Sequence, residues 1–134
     1  MIRVVADTNI YVSALNFGGV SDQILSLARR KRIDLFVSKP ILEELGGVLR
    51  RKFRWPTART TQALAEIRVF AKEVYPTARL SVIRQDEPDN RILECAVAAG
   101  ASILVTGDSH LRVLGSFMQI QIVSPRTLLD MMSP

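Results

Sequence analysis

Apolar residues follow two alternating periods along this chain. Short strand-like runs at Ile2 to Ala6, Asp34 to Val37, Leu80 to Ile83, Ser102 to Val105 and Ile120 to Val123 are separated by stretches with helical spacing. Those stretches predict helices over Ser21 to Arg30, Pro40 to Arg51, Thr57 to Val74, Asp89 to Ala99 and Pro125 to Met132, with a shorter one after Asn9. Trp55-Pro56 and Tyr75-Pro76 bound the long middle helix, because a residue before proline is pushed out of helical geometry. The alternation predicts an α/β fold in which helices cover a parallel sheet. No repeat, low-complexity stretch or Gly/Ser-rich linker divides the chain, so one domain over residues 1–134 is expected.

Two of the strands stop at an acid. Arg3-Val4-Val5-Ala6 runs into Asp7-Thr8-Asn9, and Ile103-Leu104-Val105 runs into Thr106-Gly107-Asp108. Ligands of parallel α/β folds bind beyond the carboxyl ends of the strands, so both aspartates fall at a rim suited to chemistry. Asp7 has a plainer role open to it as a helix cap, although Thr8 or Asn9 could cap equally well and leave it available. Asp108 likewise reads either as a site residue or as a turn residue after glycine. On the Pro40 to Arg51 helix, Ile41, Leu45 and Val48 form the inward stripe; Glu44 falls at its edge and Glu43 points nearly opposite. Glu44 is placed either to pair with an arginine or to join a site. In Asp86-Glu87-Pro88-Asp89-Asn90 the acids suit a helix start, and Asp89 projects on the same side as Ile92, Ala96 and Ala99 whereas Glu94 projects away.

Composition narrows the chemistry. Cys95 is the single cysteine and lies in an apolar helical run, which excludes a disulfide framework and a Cys-rich zinc site and marks it as a buried small residue. His110 is the single histidine, so no multi-His centre exists, and its place after Ser109 suggests an exposed surface residue. Neither Gly-x-x-x-x-Gly-Lys nor Gly-x-Gly-x-x-Gly occurs, which argues against a nucleotide triphosphatase or a dinucleotide dehydrogenase. What remains is a set of carboxylates, and hard ions such as Mg²⁺ or Mn²⁺ prefer such oxygen donors. Apolar runs such as Ala96 to Ala99 fall far short of the ~20 residues that cross a bilayer, so a soluble cytoplasmic protein is expected, with no membrane partner.

The net charge of +5 is clustered. Arg29-Arg30-Lys31-Arg32 is one group, and Arg50-Arg51-Lys52-Phe53-Arg54-Trp55 with Arg59 is another. Cations there can bind phosphates while the interleaved aromatics stack on unpaired bases, which makes nucleic acid the natural partner. Both groups also stand where helix ends favour positive charge for structural reasons alone.

Val5-Ala6-Asp7-Thr8-Asn9, Ser38 to Leu49 with Glu44, Pro88-Asp89-Asn90-Arg91-Ile92-Leu93-Glu94-Cys95-Ala96, and Gly100-Ala101 leading through Ile103-Leu104-Val105 to Thr106-Gly107-Asp108 together resemble the PIN-domain endoribonucleases. That family includes the VapC-type toxins of prokaryotic toxin–antitoxin systems, and the likeness spans essentially the whole chain. It implies a Rossmann-like three-layer α/β/α sandwich. Asp7, Glu44, Asp89 and Asp108 would form an acidic, metal-holding pocket, with Asn9 and Thr106 as supporting hydrogen-bond groups. One or two Mg²⁺ or Mn²⁺ ions would activate water for attack on an RNA phosphodiester, leaving 5′-phosphate and 3′-hydroxyl ends. Arg50, Arg51, Lys52, Arg54 and Trp55 would then guide RNA to the acids. The resemblance also implies a homodimer and a small antitoxin whose C-terminal segment covers the pocket. Asn90 departs from the longer acidic run common in relatives, which bears on contacts beyond the metal's own ligands and not on Asp89.

Three other readings compete. A PIN-like module could bind RNA without cutting it, its acidic pocket merely residual; metal-dependent cleavage abolished by Asp7→Asn separates the two. A haloacid-dehalogenase-like phosphatase needs a second acid two positions after the first, where this chain has Asn9. A response-regulator receiver needs adjacent acids after its first strand and a lysine after a late one; Asp7 stands alone here and Asp108 occupies the later place.

Overall fold

The computed structural model describes residues 1–81 and 87–133. Its strands are β1 (Arg3–Ala6), β2 (Asp34–Ser38), β3 (Ala71–Val74), β4 (Ile103–Val105), β5 (Ser116–Phe117) and β6 (Ile120–Val123), and its helices are α1 (Thr8–Phe17), α2 (Gly19–Arg29), α3 (Lys39–Arg51), α4 (Thr57–Phe70), α5 (Glu87–Ala99), α6 (Ser109–Arg112) and α7 (Pro125–Met132). The sheet runs β3-β2-β1-β4-β6-β5. All pairs are parallel except β5 with β6, so the sheet is mixed at one edge where a purely parallel one was expected. Helices cover both faces, giving a three-layer α/β/α fold.

Burial explains the order. Val4, Val5 and Ala6 of β1 are fully buried, as an unbroken apolar run must be when helices cover both faces of a central parallel strand. Val4 registers with Leu35 on one side and with Ile103 on the other. Helix α5 packs against β1 and β2, α3 contacts α5 and α1, and α2 bridges α1 and α7. The connections from β1 and β4 lead to opposite halves of the sheet, which opens a crevice at the carboxyl ends of these two neighbours. Among the described residues, no helix is long and apolar enough to cross a membrane.

The sequence pattern located β6 and α7 at their observed bounds, and β1, β2, β4, α2 and α3 to within two residues. The long middle helix is the main correction. It ends at Phe70, and Ala71–Val74 extends into β3, pairing with β2 from Leu35↔Ala71 to Ser38↔Val74. Without it the outer backbone groups of β2 would lack partners, a demand that outweighs the local helical pattern. Of the strand expected over Leu80 to Ile83, Leu80 and Ser81 are not in a strand, and Val82 and Ile83 lie outside the described residues. Strand β5 and helix α6 were not anticipated. The β5–β6 reversal places Met118 and Gln119 at φ 47° and 67°, the left-handed geometry that a tight two-residue hairpin turn needs.

Candidate functional site

Asp7 leaves the end of β1 with its N–H donating to the Val105 carbonyl at 3.1 Å. Its Oδ1 accepts from the Ile10 N–H at 3.1 Å, so Asp7 itself caps α1; the alternatives that would have freed it, Thr8 and Asn9, do not take that role. Its Oδ2 accepts a short hydrogen bond from the Thr106 hydroxyl. The Thr106 oxygen in turn accepts from the Asp108 N–H at 2.9 Å. Thr106 therefore ties together the two acid-bearing strand ends, a link available only because β1 and β4 are neighbours.

Asp7 is 2% exposed. Burial pushes its carboxyl from the ordinary 3.8 up to about 6; the bonds from Thr106 and Ile10 offset part of this, while the charges of Asp108 and Glu44 add to it. Glu44, half-buried on the second turn of α3, accepts from the Thr8 hydroxyl at 3.4 Å. Glu43 is exposed, as the helical phase predicted. Asp89 is buried in the first turn of α5. Asp108 caps α6, its Oδ1 accepting from the N–H groups of His110 at 2.7 Å and Leu111 at 3.3 Å. The sequence-selected acids thus stand on one rim, two of them at helix caps. Asn9 is exposed in the first turn of α1.

His110 is exposed, as expected, but it does not stand apart from the acids. Its Nδ1 lies 3.8 Å from Asp108 Oδ1, and one donor atom each from Asp89, Asp108 and His110 all fall within 4.8 Å of one another. The signal in the sequence was the spacing: a residue two places after a capping aspartate shares its turn. The starts of α1 and α5 add the positive ends of their dipoles, which offsets some of the repulsion between the carboxylates. Cys95 is fully buried, and burial pushes its thiol up to about 12, so it remains a neutral core group.

Residues 3–110 match the PIN-domain family profile. The chain belongs to the PIN-domain family. An uncharacterized protein of Methanocaldococcus jannaschii is 33% identical to this PIN domain over 115 residues, covering 82% of this chain and 73% of that one. Among solved structures, the fold is similar to VapBC2 of Rickettsia felis bound to a DNA fragment from its promoter (TM-score 0.67, 20% identity, 92% of this chain and 98% of that one). It is also similar to VapBC-1 of nontypeable Haemophilus influenzae (0.65, 14%, 93% and 99%). A third is VapC20 of Mycobacterium tuberculosis, described as a Sarcin-Ricin loop cleaving toxin (0.60, 19%, 88% and 98%).

Two expectations for this PIN domain need correction. Glu94, expected to project away from the side that carries Asp89, is nevertheless buried: it is 5% exposed, and its Oε2 accepts from Arg91 Nη2 at 2.7 Å and from the Leu80 N–H at 2.7 Å. Arg91 Nη2 also donates to the Leu80 carbonyl at 3.0 Å. Leu80 brings its backbone N–H and carbonyl against α5, and this pair satisfies them. Trp55 is the second correction. It is 8% exposed, its Nε1 donates to Asn16 Oδ1 at 3.1 Å, and the Arg59 guanidinium lies 3.6 Å from its ring centre. An indole packed between α1 and a cation has no free face, so Trp55 fixes this turn rather than stacking on a base.

Arg50, Arg51, Lys52 and Arg54 of the PIN domain are exposed at and beyond the end of α3. Arg54 has φ 56°, a left-handed conformation that glycine adopts at no steric cost. Arg54→Gly is therefore expected to raise stability by ~1 kcal/mol, read from urea unfolding; an unchanged or lower stability would count against the strain. A separate cleft of about 890 Å³, lined by Arg29, Asp34, Phe70 and Lys72 among others, includes none of the four acids.

Proposed function

We propose that this PIN domain is a metal-dependent endoribonuclease, the toxin of a toxin–antitoxin pair, acting on cytoplasmic RNA. The observation that carries the reading is the joining of Asp7 and Asp108 through Thr106 at the crevice between β1 and β4, with Asp89 close to Asp108 and the charge of Glu44 acting on Asp7. One donor atom each from Asp89, Asp108 and His110 lies close enough to share one ion; the two carboxylates are the oxygen donors that fit Mg²⁺ or Mn²⁺, whereas the imidazole is a donor that Mg²⁺ disfavours. Bound there, the ion would polarise a phosphodiester oxygen and acidify a water. Thr106 fixes the orientation of the Asp7 carboxylate, the Ile10 N–H holds its other oxygen, and the Thr8 hydroxyl steadies Glu44. Burial holds the Asp7 carboxyl up at about 6, closer to neutrality than an ordinary carboxyl.

The basic end of α3 supports a polyanionic substrate, and the folds shared with VapBC complexes support an antitoxin that covers the pocket. Four exposed cations on single-stranded RNA should give a log–log salt slope of about −3. The deciding experiment is incubation of 5′-labelled single-stranded RNA with the protein in Mn²⁺, in EDTA, and with Asp89→Asn in Mn²⁺. Cutting in the first alone is the expected result. RNA that is bound but uncut under every condition would instead identify an RNA-binding module.

A further inference from the structure

Phe17, the last residue of α1, is 75% exposed. Single exposed apolar residues are common and need no special explanation; the surroundings of this one set it apart. Its ring meets Phe53 edge-on, with centroids 6.1 Å apart and planes at 71°. Lys52 Nζ lies 5.9 Å from the Phe53 ring centre, and exposed Arg54 follows directly in the chain. The turn is held in place from the residue beside Phe17: Asn16 accepts from Trp55 Nε1 at 3.1 Å and donates to the Val12 carbonyl at 2.9 Å. An aromatic face is thus fixed in the open, beside a run of cations.

We propose that Phe17, braced by Phe53, is a stacking platform for one unpaired base of bound RNA, with Lys52 and Arg54 holding the adjoining phosphates. The inference rests on the RNA reading given above. A protein partner fits less well, since lysine is depleted from the centre of protein interfaces and Lys52 stands beside this aromatic pair. The ten residues of α1 separate Phe17 from Asp7 by roughly 15 Å along the helix axis. The stacked base therefore belongs to a nucleotide beyond the cut phosphate, and the contact anchors the strand without reading its sequence, because every base has a π-face.

The test is fluorescence anisotropy of the full chain in EDTA with an unstructured single-stranded RNA and with an RNA duplex of equal length. Phe17→Ala should weaken single-strand binding by ~5- to 100-fold, Phe17→Trp should restore it, and duplex binding should not move because duplex bases are already stacked. The salt slope should be the same for Phe17→Ala as for the wild type, since a ring neutralises no phosphate, whereas Lys52→Ala should reduce it by about 0.7. Single-strand binding unaffected by Phe17→Ala, or an equal loss on the duplex, overturns the platform and leaves the nuclease reading standing. A change of oligomeric state in Phe17→Ala by light scattering overturns it in favour of a protein interface. A wild type that binds neither RNA removes the RNA reading itself, and the platform with it.

Discussion

Asp7→Asn should abolish RNA cleavage, by ~10²-fold or more, and in the same protein raise the stability of the metal-free chain by about 3 kcal/mol near neutral pH. The second effect follows from burial. Asp7 is 2% exposed and its carboxyl moves from 3.8 to about 6 on folding, so the folded state holds this proton more tightly than the unfolded chain does. The stabilisation linked to a raised carboxyl is fully present below about pH 4 and is lost as pH rises through about 6. At neutral pH the wild type must therefore keep a desolvated charge that Asn lacks, and the difference amounts to ~3 kcal/mol. Urea unfolding of both proteins in EDTA should show the variant more stable at about pH 7.5 and the two converging toward about pH 4. Curves that stay parallel across that range would mean that Asp7 does not hold an unfavourable charge.

Glu94→Ala should act in the opposite direction, with a loss of ~1–3 kcal/mol, because it leaves the Leu80 N–H without its carboxylate acceptor and removes a charged partner of Arg91. Glu94 and Arg91 side chains are 6% and 13% exposed, and both bond to Leu80. A chain of this size is held by only ~5–15 kcal/mol in all, so the melting temperature should fall steeply. A loss below ~1 kcal/mol would show that this pair contributes little to holding the segment near Leu80 on α5. Two acids near one end of the sheet thus have contrasting roles: Asp7 lowers stability at neutral pH, and Glu94 supports the fold.

The places where sequence was sufficient share a physical cause. Asp7 and Asp108 were legible because a parallel strand delivers its last residue to the ligand-binding rim whatever the details of packing. Asp89 was legible from helical phase alone. Most of the misses depended on a distant partner. Ala71–Val74 becomes a strand because β2 needs a neighbour. Glu94 turns inward because Leu80 presents its backbone there. Trp55 and Phe17 exchange the places that composition suggests, since Asn16 and Arg59 cover the indole while nothing comparable encloses the phenylalanine. His110 joins the acids because Asp108 caps the short helix that carries it.

The hydrogen bond between Thr106 and Asp7 links positions 99 residues apart in the chain. Contacts of such separation close late in folding, because the intervening chain must first be ordered. A growing chain that has not yet delivered β4 therefore carries Asp7 without Thr106, without Asp108, and with one side of β1 unpaired. The crevice between β1 and β4 comes into being only once β4 has been made and the sheet has closed, so products that stop before β4 cannot assemble the acidic rim.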